Sequence, residues 1–269
     1  MEKKNIRFIV CDVDNTVIPA GENALSERTR RAFHKAIDKG IHVMINTGRH
    51  YTFLQKSLFD DLPMDMIGTI NGACLSRRDG SVIAKHPMTG EHMRAITDIC
   101  LQNGIGLGFK FEDRIVTYAN NDRFMNGYLL SDQDLAPLIL NDCEKRTHHE
   151  TAGYPLGTFI VCRDSELGPF EELRREFEFA WSFRNGFDVF LREINKALSV
   201  EAALKEYGLA WDNVIAFGDA GNDTAFVEKA AIGVAMGNAK DGLKNKADII
   251  APDCRDDGAA AVLEELGII

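Results

Sequence analysis

The chain has 269 residues, of which 41 are acidic and 31 basic, for a formal charge of −10. With 45% hydrophobic and 27% charged residues, its composition is that of a globular protein with a sizeable core and not that of a disordered chain. The acidic balance argues against nucleic acid and anionic membranes as partners, because both need a basic face to displace counterions; phosphate is compatible only as a locally bound group. A length above the domain mode of roughly 100–150 residues suggests one large α/β domain or a core with a second module.

Residues Ile6 to Cys11 form an apolar, β-rich run that ends in the polar cluster Asp12-Val13-Asp14-Asn15-Thr16, the pattern of a buried parallel strand delivering a loop at its carboxyl end. The run is too short for a signal-peptide core or a bilayer span, and no later segment reaches 18 apolar residues. A helix is predicted from near Ser26, with Ala32, Phe33, Ala36 and Ile37 at helical spacing and a stop at Gly40. The next strand, Ile41 to Ile45, ends in Asn46-Thr47-Gly48-Arg49, and the one after it, Met66 to Ile70, ends in Asn71-Gly72-Ala73. Asp79-Gly80 between Ala73–Ser76 and Ser81–Lys85 suggests a hairpin.

From Pro87 to Arg192 the rhythm shortens, glycines interrupt it, and most of the negative charge collects there. The α/β rhythm then returns. A helix near Leu198 to Tyr207 stops at Gly208, and a strand Val214 to Phe217 delivers Gly218-Asp219-Ala220-Gly221-Asn222-Asp223. A helix from Thr224, strands at Ile232–Met236 and Asp248–Ile250, and a helix Gly258–Glu265 complete the chain. The expected fold is α/β, a Rossmann-like parallel sheet split by an insertion, with residues 1–86 and 193–269 as core and 87–192 as insert. The cysteines (Cys11, Cys74, Cys100, Cys143, Cys162, Cys254) are dispersed with no Cys-x-x-Cys pair, which reads as core residues of a cytoplasmic protein and not as a disulfide or zinc framework.

The strand ends carry the chemistry. Asp12 and Asp14, two positions apart at the mouth of a sheet, repel each other unless a cation lies between them, and an oxygen-rich site of this kind suits Mg²⁺. Taken alone, an Asp-x-Asp pair is usually a solvated loop. A second acid pair, Asp219 and Asp223, also follows an apolar strand and precedes a helix, so both pairs can meet at one sheet edge around a shared ion. The third strand end offers the Thr47 hydroxyl, the Gly48 amide and a helix amino terminus, which together make an anion cradle. Lys196 gains a meaning only beside these three.

In this order, DVDNT, NTGR, NKALSVEAALKEYGL and FGDAGNDTAFVEKAAIGVAMGNAKDGLKNKADII resemble the haloacid dehalogenase-like (HAD) hydrolase superfamily, specifically its Cof-type phosphatases of subclass IIB. The resemblance spans nearly the whole chain and implies an inserted cap of type C2 that closes over the sheet edge. It also implies a phosphoric monoester hydrolase acting on a small phosphorylated metabolite, a sugar phosphate by expectation, through an aspartyl-phosphate. Asp12 is the implied nucleophile, Asp14 the acid and base with a raised pKa, and Lys196 a catalytic and phosphate-binding cation. Mg²⁺ is implied to sit on Asp12, the Asp14 backbone carbonyl and Asp219, with Asp223 supporting it directly or through water. Thr47, Gly48 and Asn222 are implied phosphate contacts, and Asn71 and Arg49 weaker substrate contacts.

Two positions depart from the family pattern. Asn15 stands where glycine is usual, and tolerates the left-handed backbone that the turn needs. The usual Ser-Lys-Gly is Asn195-Lys196-Ala197; spacing to Gly208 selects Lys196 over Lys205. Within the insert, Lys110, Arg114, Arg123, His148, His149 and Arg184 are candidate substrate contacts or solvated surface charges. Phe177, Phe179, Trp181, Phe183, Phe187 and Phe190, mostly at period two, read as strand packing. The expected partner is a small phosphate ester, with no nucleic acid or membrane, for a monomer or weak homodimer. The alternatives are a phosphomutase of the same architecture and a non-catalytic phospho-aspartate switch.

Overall fold

The computed structural model describes residues 5–130, 132–182 and 185–269. In chain order it gives β1 (Phe8–Cys11), α1 (Glu27–Asp38), β2 (His42–Asn46), α2 (Lys56–Asp61), β3 (Met66–Thr69), β4 (Cys74–Arg77), β5 (Val82–Lys85), α3 (Gly90–Gln102), β6 (Gly106–Lys110) and β7 (Ile115–Ala119). Then follow α4 (Asn121–Leu129), β8 (Ile139–Asn141), α5 (His148–Ala152), β9 (Gly157–Val161), β10 (Phe177–Ser182) and β11 (Gly186–Leu191). The chain closes with α6 (Lys196–Tyr207), β12 (Val214–Gly218), α7 (Thr224–Lys229), β13 (Ile232–Ala235), α8 (Asp241–Lys244), β14 (Ile249–Ile250) and α9 (Gly258–Glu265). No described helix is long and apolar enough to cross a membrane.

Two compact units result. The first takes the described residues up to Arg49, Leu54–Ala84 and Asn195–Ile269, and holds an eight-stranded sheet in the order β14-β13-β12-β1-β2-β3-β4-β5. From β14 to β3 its pairings are parallel, and β3 to β4 is antiparallel. Every residue of β1 is buried, as expected of a strand covered on both faces. The chain runs from β1 toward β3 on one side and returns through β12 on the other. Strand order therefore reverses beside β1, and the loops after β1 and β12 diverge there, which opens a crevice at the carboxyl ends.

Local chemistry sets the helix ends. The Ser26 hydroxyl accepts the Thr29 N–H to cap α1, whose buried Thr29, Ala32, Phe33 and Ala36 form its inner stripe. Asn195 caps α6 by accepting the Ala197 N–H, so Lys196 is the first residue of that helix and not a residue before it; Gly208, at φ 63°, ends it. Strand β3 stops at Thr69, one residue earlier than expected, because Ile70 and Asn71 both take left-handed backbone, at φ 53° and 55°.

The second unit comprises Lys85–Ile194 together with His50–Phe53. Its six-stranded sheet has the order β10-β11-β9-β6-β7-β8 and is antiparallel apart from the β7–β8 pair. Helix α3 covers one face over a core of Phe109, Phe111, Phe177 and Phe187, and α4 contributes Phe124 and Tyr128 to another cluster with Phe159. The segment His50–Phe53, which the sequence places with the core residues 1–86, belongs here. His50 Nε2 hydrogen-bonds the Phe111 carbonyl at 2.7 Å, and the Phe53 ring meets Tyr128 edge-on. Phe177, Phe179 and Trp181 lie on β10, and Phe187 and Phe190 on β11; Phe183 and Arg184 fall outside the described residues.

Candidate active site

Asp12 is the first residue after β1; its N–H bonds the Phe217 carbonyl of β12, which brings the two acidic loops side by side. Its carboxylate is 6% exposed, and Asp223 is fully buried. Lys196, 1% exposed, donates from Nζ to Asp12 Oδ1 and to Asp223 Oδ1, each at 2.6 Å. Lys205, near the far end of α6, is exposed. One turn of helix therefore presents a cation to both acidic loops across a sequence separation that no local pattern discloses.

Carboxylate oxygens of Asp12, Asp219 and Asp223 all lie within 4.8 Å of one another. Burial pushes the Asp12 carboxyl well above the usual carboxylate range; Lys196 opposes that shift, and Asp223, Asp14 and Asp219 add to it. Asp219 is pushed up to about 7, by burial first and by Asp223 next. For Lys196 burial works to lower the pKa, but the charges of Asp12 and Asp223 outweigh it and raise the ammonium above its ordinary range. Three carboxylates against one ammonium leave an excess of two negative charges when all are ionised. An all-oxygen donor set with that excess fits a hard divalent cation such as Mg²⁺.

The donor set is unequal. Asp223 Oδ2 already accepts the N–H groups of Asp219 and Ala220, at 2.9 and 3.0 Å, which leaves only Oδ1, itself bonded to Lys196, for a further partner. The Thr16 hydroxyl donates to Asp219 Oδ1 at 3.4 Å. Asp14 lies outside this side-chain cluster. A different partner holds its carboxylate: Arg49 Nε reaches Oδ2 at 2.8 Å and a terminal guanidinium nitrogen reaches Oδ1 at 2.7 Å. Arg49, expected to meet substrate, is engaged with Asp14 in this two-toothed pair.

Thr47 is buried at the end of β2, where its hydroxyl oxygen accepts the Arg49 N–H at 3.2 Å. A Cβ at Gly48 would lie 2.9 Å from Asn71 Oδ1, so a side chain there would push that amide aside. That same Asn71 oxygen accepts from Asn222 Nδ2 at 3.0 Å, so the exposed Asn222 and the buried Asn71 tie two of the expected segments together. Asn15 has φ 60°, the left-handed conformation expected of it, and its backbone carbonyl accepts from Asn238 Nδ2 at 2.7 Å.

Three residues without a role assigned from sequence also support the site. Asn46, fully buried, donates from Nδ2 to the Lys196 carbonyl at 2.8 Å and accepts the Ser199 hydroxyl at 3.1 Å, which fixes the start of α6 against β2. Gly72, at φ 95°, lets that helix start approach so closely that a Cβ would fall 2.1 Å from the Asn195 carbonyl oxygen. An asparagine closing an otherwise apolar strand was the available signal for Asn46; nothing in the sequence pointed to the Gly72 contact.

In the inserted unit Arg123 is bound by both oxygens of Glu166, Arg114 pairs with Asp113, and His148 Nε2 also meets Asp113. Lys110, 3% exposed, pairs with Asp188. His149 Nδ1 hydrogen-bonds the Tyr118 hydroxyl, whereas His148 Nε2 meets Asp113.

A parallel sheet with an acid cluster and a lysine at its carboxyl edge, interrupted by a second α/β unit, defines a class of phosphoryl-transfer folds. The haloacid dehalogenase-like hydrolase family model matches residues 9–263, and the chain belongs to this family, in its Cof-type branch of phosphatases. A 5-amino-6-(5-phospho-D-ribitylamino)uracil phosphatase of Bacillus subtilis is 24% identical over 97% of this chain and 96% of its own length. A phosphoglycolate phosphatase of Methanobrevibacter smithii is 26% identical, with 97% and 98% covered. A Streptococcus pyogenes protein, provisionally named a bifunctional phosphatase/peptidyl-prolyl cis-trans isomerase, is 29% identical over 99% of this chain, which spans only 55% of that protein. Among solved structures, a Geobacillus kaustophilus protein superposes with a TM-score of 0.84 at 25% identity over 98% of this chain and all of that one. A sugar phosphatase of HAD subclass IIB, at 23% identity with 98% and 100% covered, gives 0.83 and shares the fold.

Proposed function

We propose that this protein hydrolyses phosphate monoesters of small metabolites, sugar phosphates among them, with Asp12 as nucleophile. The observation that carries the reading is the buried Asp12 carboxylate, gripped by Lys196 on Oδ1 and clustered with Asp219 and Asp223. The related phosphatases are named for phosphoglycolate and a phosphoribityl compound, both phosphate monoesters of small molecules, and the structural neighbour for sugar phosphates.

A carboxylate oxygen of Asp12 forms a bond to phosphorus as the ester P–O bond breaks, and protonated Asp14 gives its proton to the departing alkoxide. Asp14, now a carboxylate, takes a proton from water as that water attacks the aspartyl-phosphate, releasing inorganic phosphate and regenerating Asp12. Arg49, which holds both oxygens of Asp14, positions that carboxyl. Lys196, Thr47 and the Gly48 amide bind phosphoryl oxygens and stabilise the charge that develops on them. Asp12, Asp219 and the Asp14 carbonyl, with Asp223 beside them, would hold an Mg²⁺ ion, which would supply the positive charge that lets a phosphate dianion approach a carboxylate.

The test is a panel of sugar, polyol and hydroxyacid phosphates assayed for free phosphate with Mg²⁺, with chelator, and with Asp12→Asn. Repeated turnover that chelator and the substitution both abolish is expected. Wild-type turnover in Asp12→Asn overturns the mechanism, an isomerised sugar phosphate with little free phosphate marks a mutase, and a single phosphate per chain marks a switch.

A further inference from the structure

Within the inserted unit, a cavity of about 270 Å³ lies between α3 and the segment that runs from Arg146 through α5 to Tyr154. Met93, Thr97 and Tyr118 are its buried lining. The hydrogen-bond accounting of this lining is one-sided. The Thr97 hydroxyl proton is spent on the Met93 carbonyl at 2.7 Å. The Tyr118 oxygen accepts the His149 backbone N–H at 3.1 Å and lies 3.1 Å from His149 Nδ1. The phenol and Nδ1 therefore satisfy one another, and His149 Nε2 has no hydrogen-bond partner among the described residues.

Arg146 is half-buried with a left-handed backbone, at φ 55°, and its Nε is fixed to the Tyr118 carbonyl at 2.9 Å. Its terminal nitrogens, and the whole guanidinium of Arg94, have no partner among the described residues. The unspent groups are therefore the guanidinium of the exposed Arg94, the terminal nitrogens of the half-buried Arg146 and Nε2 of His149, and the single lining acid is the exposed Asp98. Tyr154, 47% exposed, and Leu101, 40% exposed, add an apolar side, and the Tyr154 ring lies at only 18° to that of His149.

We propose that this cavity is a second ligand site, distinct from the acid cluster, for a small organic anion that joins an oxyanion to a flat apolar ring. Two guanidinium groups match an oxyanion in shape and charge, and a neutral ligand would strip water from the half-buried Arg146 without giving its charge a partner. A net positive lining is also unusual in a chain of charge −10, and an uncommon backbone conformation at Arg146 is the kind of local strain that binding sites retain. The volume limits the occupant to about one ring with one acidic group.

The experiment titrates phenylphosphonate, which no phosphatase can cleave at its P–C bond as a monoester, into the full isotope-labelled chain and follows backbone amide signals. Saturable shifts at Thr97, Leu101 and His149 are expected. Affinity at these amides should fall about tenfold or more in Arg94→Gln/Arg146→Gln, where the guanidinium contacts are lost, and should persist in Asp12→Asn. Benzoate in place of phenylphosphonate separates a carboxylate ligand from a phosphoryl one, and binding of either supports the site. Shifts confined to the Asp12 and Asp219 loops overturn it. So does phenol, the neutral ring, binding the wild-type chain as tightly as the two anions, a comparison that needs no variant to fold.

Discussion

Lys196 Nζ stands 2.6 Å from Asp12 Oδ1, with the lysine 1% and the aspartate 6% exposed. A buried ammonium between two carboxylates is stable only while all three partners are present, because each alone would be an uncompensated charge in a poorly polarisable interior. Function and fold are coupled at this contact.

Lys196→Met should therefore lower stability by about 3 kcal/mol or more and abolish turnover. Adding Mg²⁺ should raise the melting temperature of this variant more than that of wild type, since the cation then becomes the sole positive partner of Asp12 and Asp223. Thermal denaturation with and without Mg²⁺ measures it, and an equal rise in both proteins would separate the lysine from the metal cluster.

Arg49→Lys keeps the charge but loses the fork that grips both oxygens of Asp14. The expected result is a fall in kcat of about 10-fold on alkyl phosphates, whose alkoxides need a well-placed proton, and a much smaller fall on aryl phosphates. Equal losses on both would remove Arg49 from the positioning of Asp14.

The pH dependence follows from the acids. Asp219 at about 7, with Asp12 displaced in the same direction, binds protons in the folded chain that it would release in the unfolded one, so ν in the native state is larger between the ordinary carboxylate range and about 7. Stability of the chelator-treated protein should therefore fall as pH rises through that window. Mg²⁺ reverses the preference by favouring the carboxylates, and its binding at pH 6 should release protons, which calorimetry in buffers of different ionisation enthalpy detects. A metal-free protein that gains stability from pH 4 to 7 would contradict this assignment.

Gly72→Ala and Gly208→Ala form a matched pair. Both sites have positive φ, at 95° and 63°, but only at Gly72 does a Cβ collide, 2.1 Å from the Asn195 carbonyl oxygen, whereas at Gly208 nothing lies within 4 Å. Gly208→Ala should cost about 1 kcal/mol and leave kcat unchanged. Gly72→Ala should displace the start of α6, and with it Lys196, reducing kcat well beyond its effect on stability. Denaturation curves and kcat for the two variants decide it.

Asn15 offers a separate test of backbone conformation. At φ 60°, with its side-chain oxygen accepting the Ala20 N–H at 3.1 Å, Asn15→Val should cost about 1–2 kcal/mol, since a β-branched residue resists left-handed backbone. Asn15→Gly relieves φ but loses the Ala20 bond, and should lie near wild type in urea denaturation.

The alternation of apolar runs with polar strand ends was sufficient to locate the acids of both loops and the parallel sheet that carries them. This is because buried strands and helix caps leave short-range signatures in composition and spacing. The same local reading extended β3 through Ile70 and placed His50–Phe53 with the core residues, because a left-handed residue pair and the packing of Phe53 on Tyr128 leave no periodic trace. Partner choice lay beyond it altogether. Sequence supplied Asp12, Asp14, Arg49, Asp219, Asp223 and Lys196 as chemical types at strand and helix ends; only the folded chain decided that Lys196 bridges Asp12 and Asp223 while Arg49 takes Asp14. The reason is physical: a charge-assisted hydrogen bond depends on distance and burial across as many as 184 positions of separation, and these exist only after the sheet has aligned its strand ends.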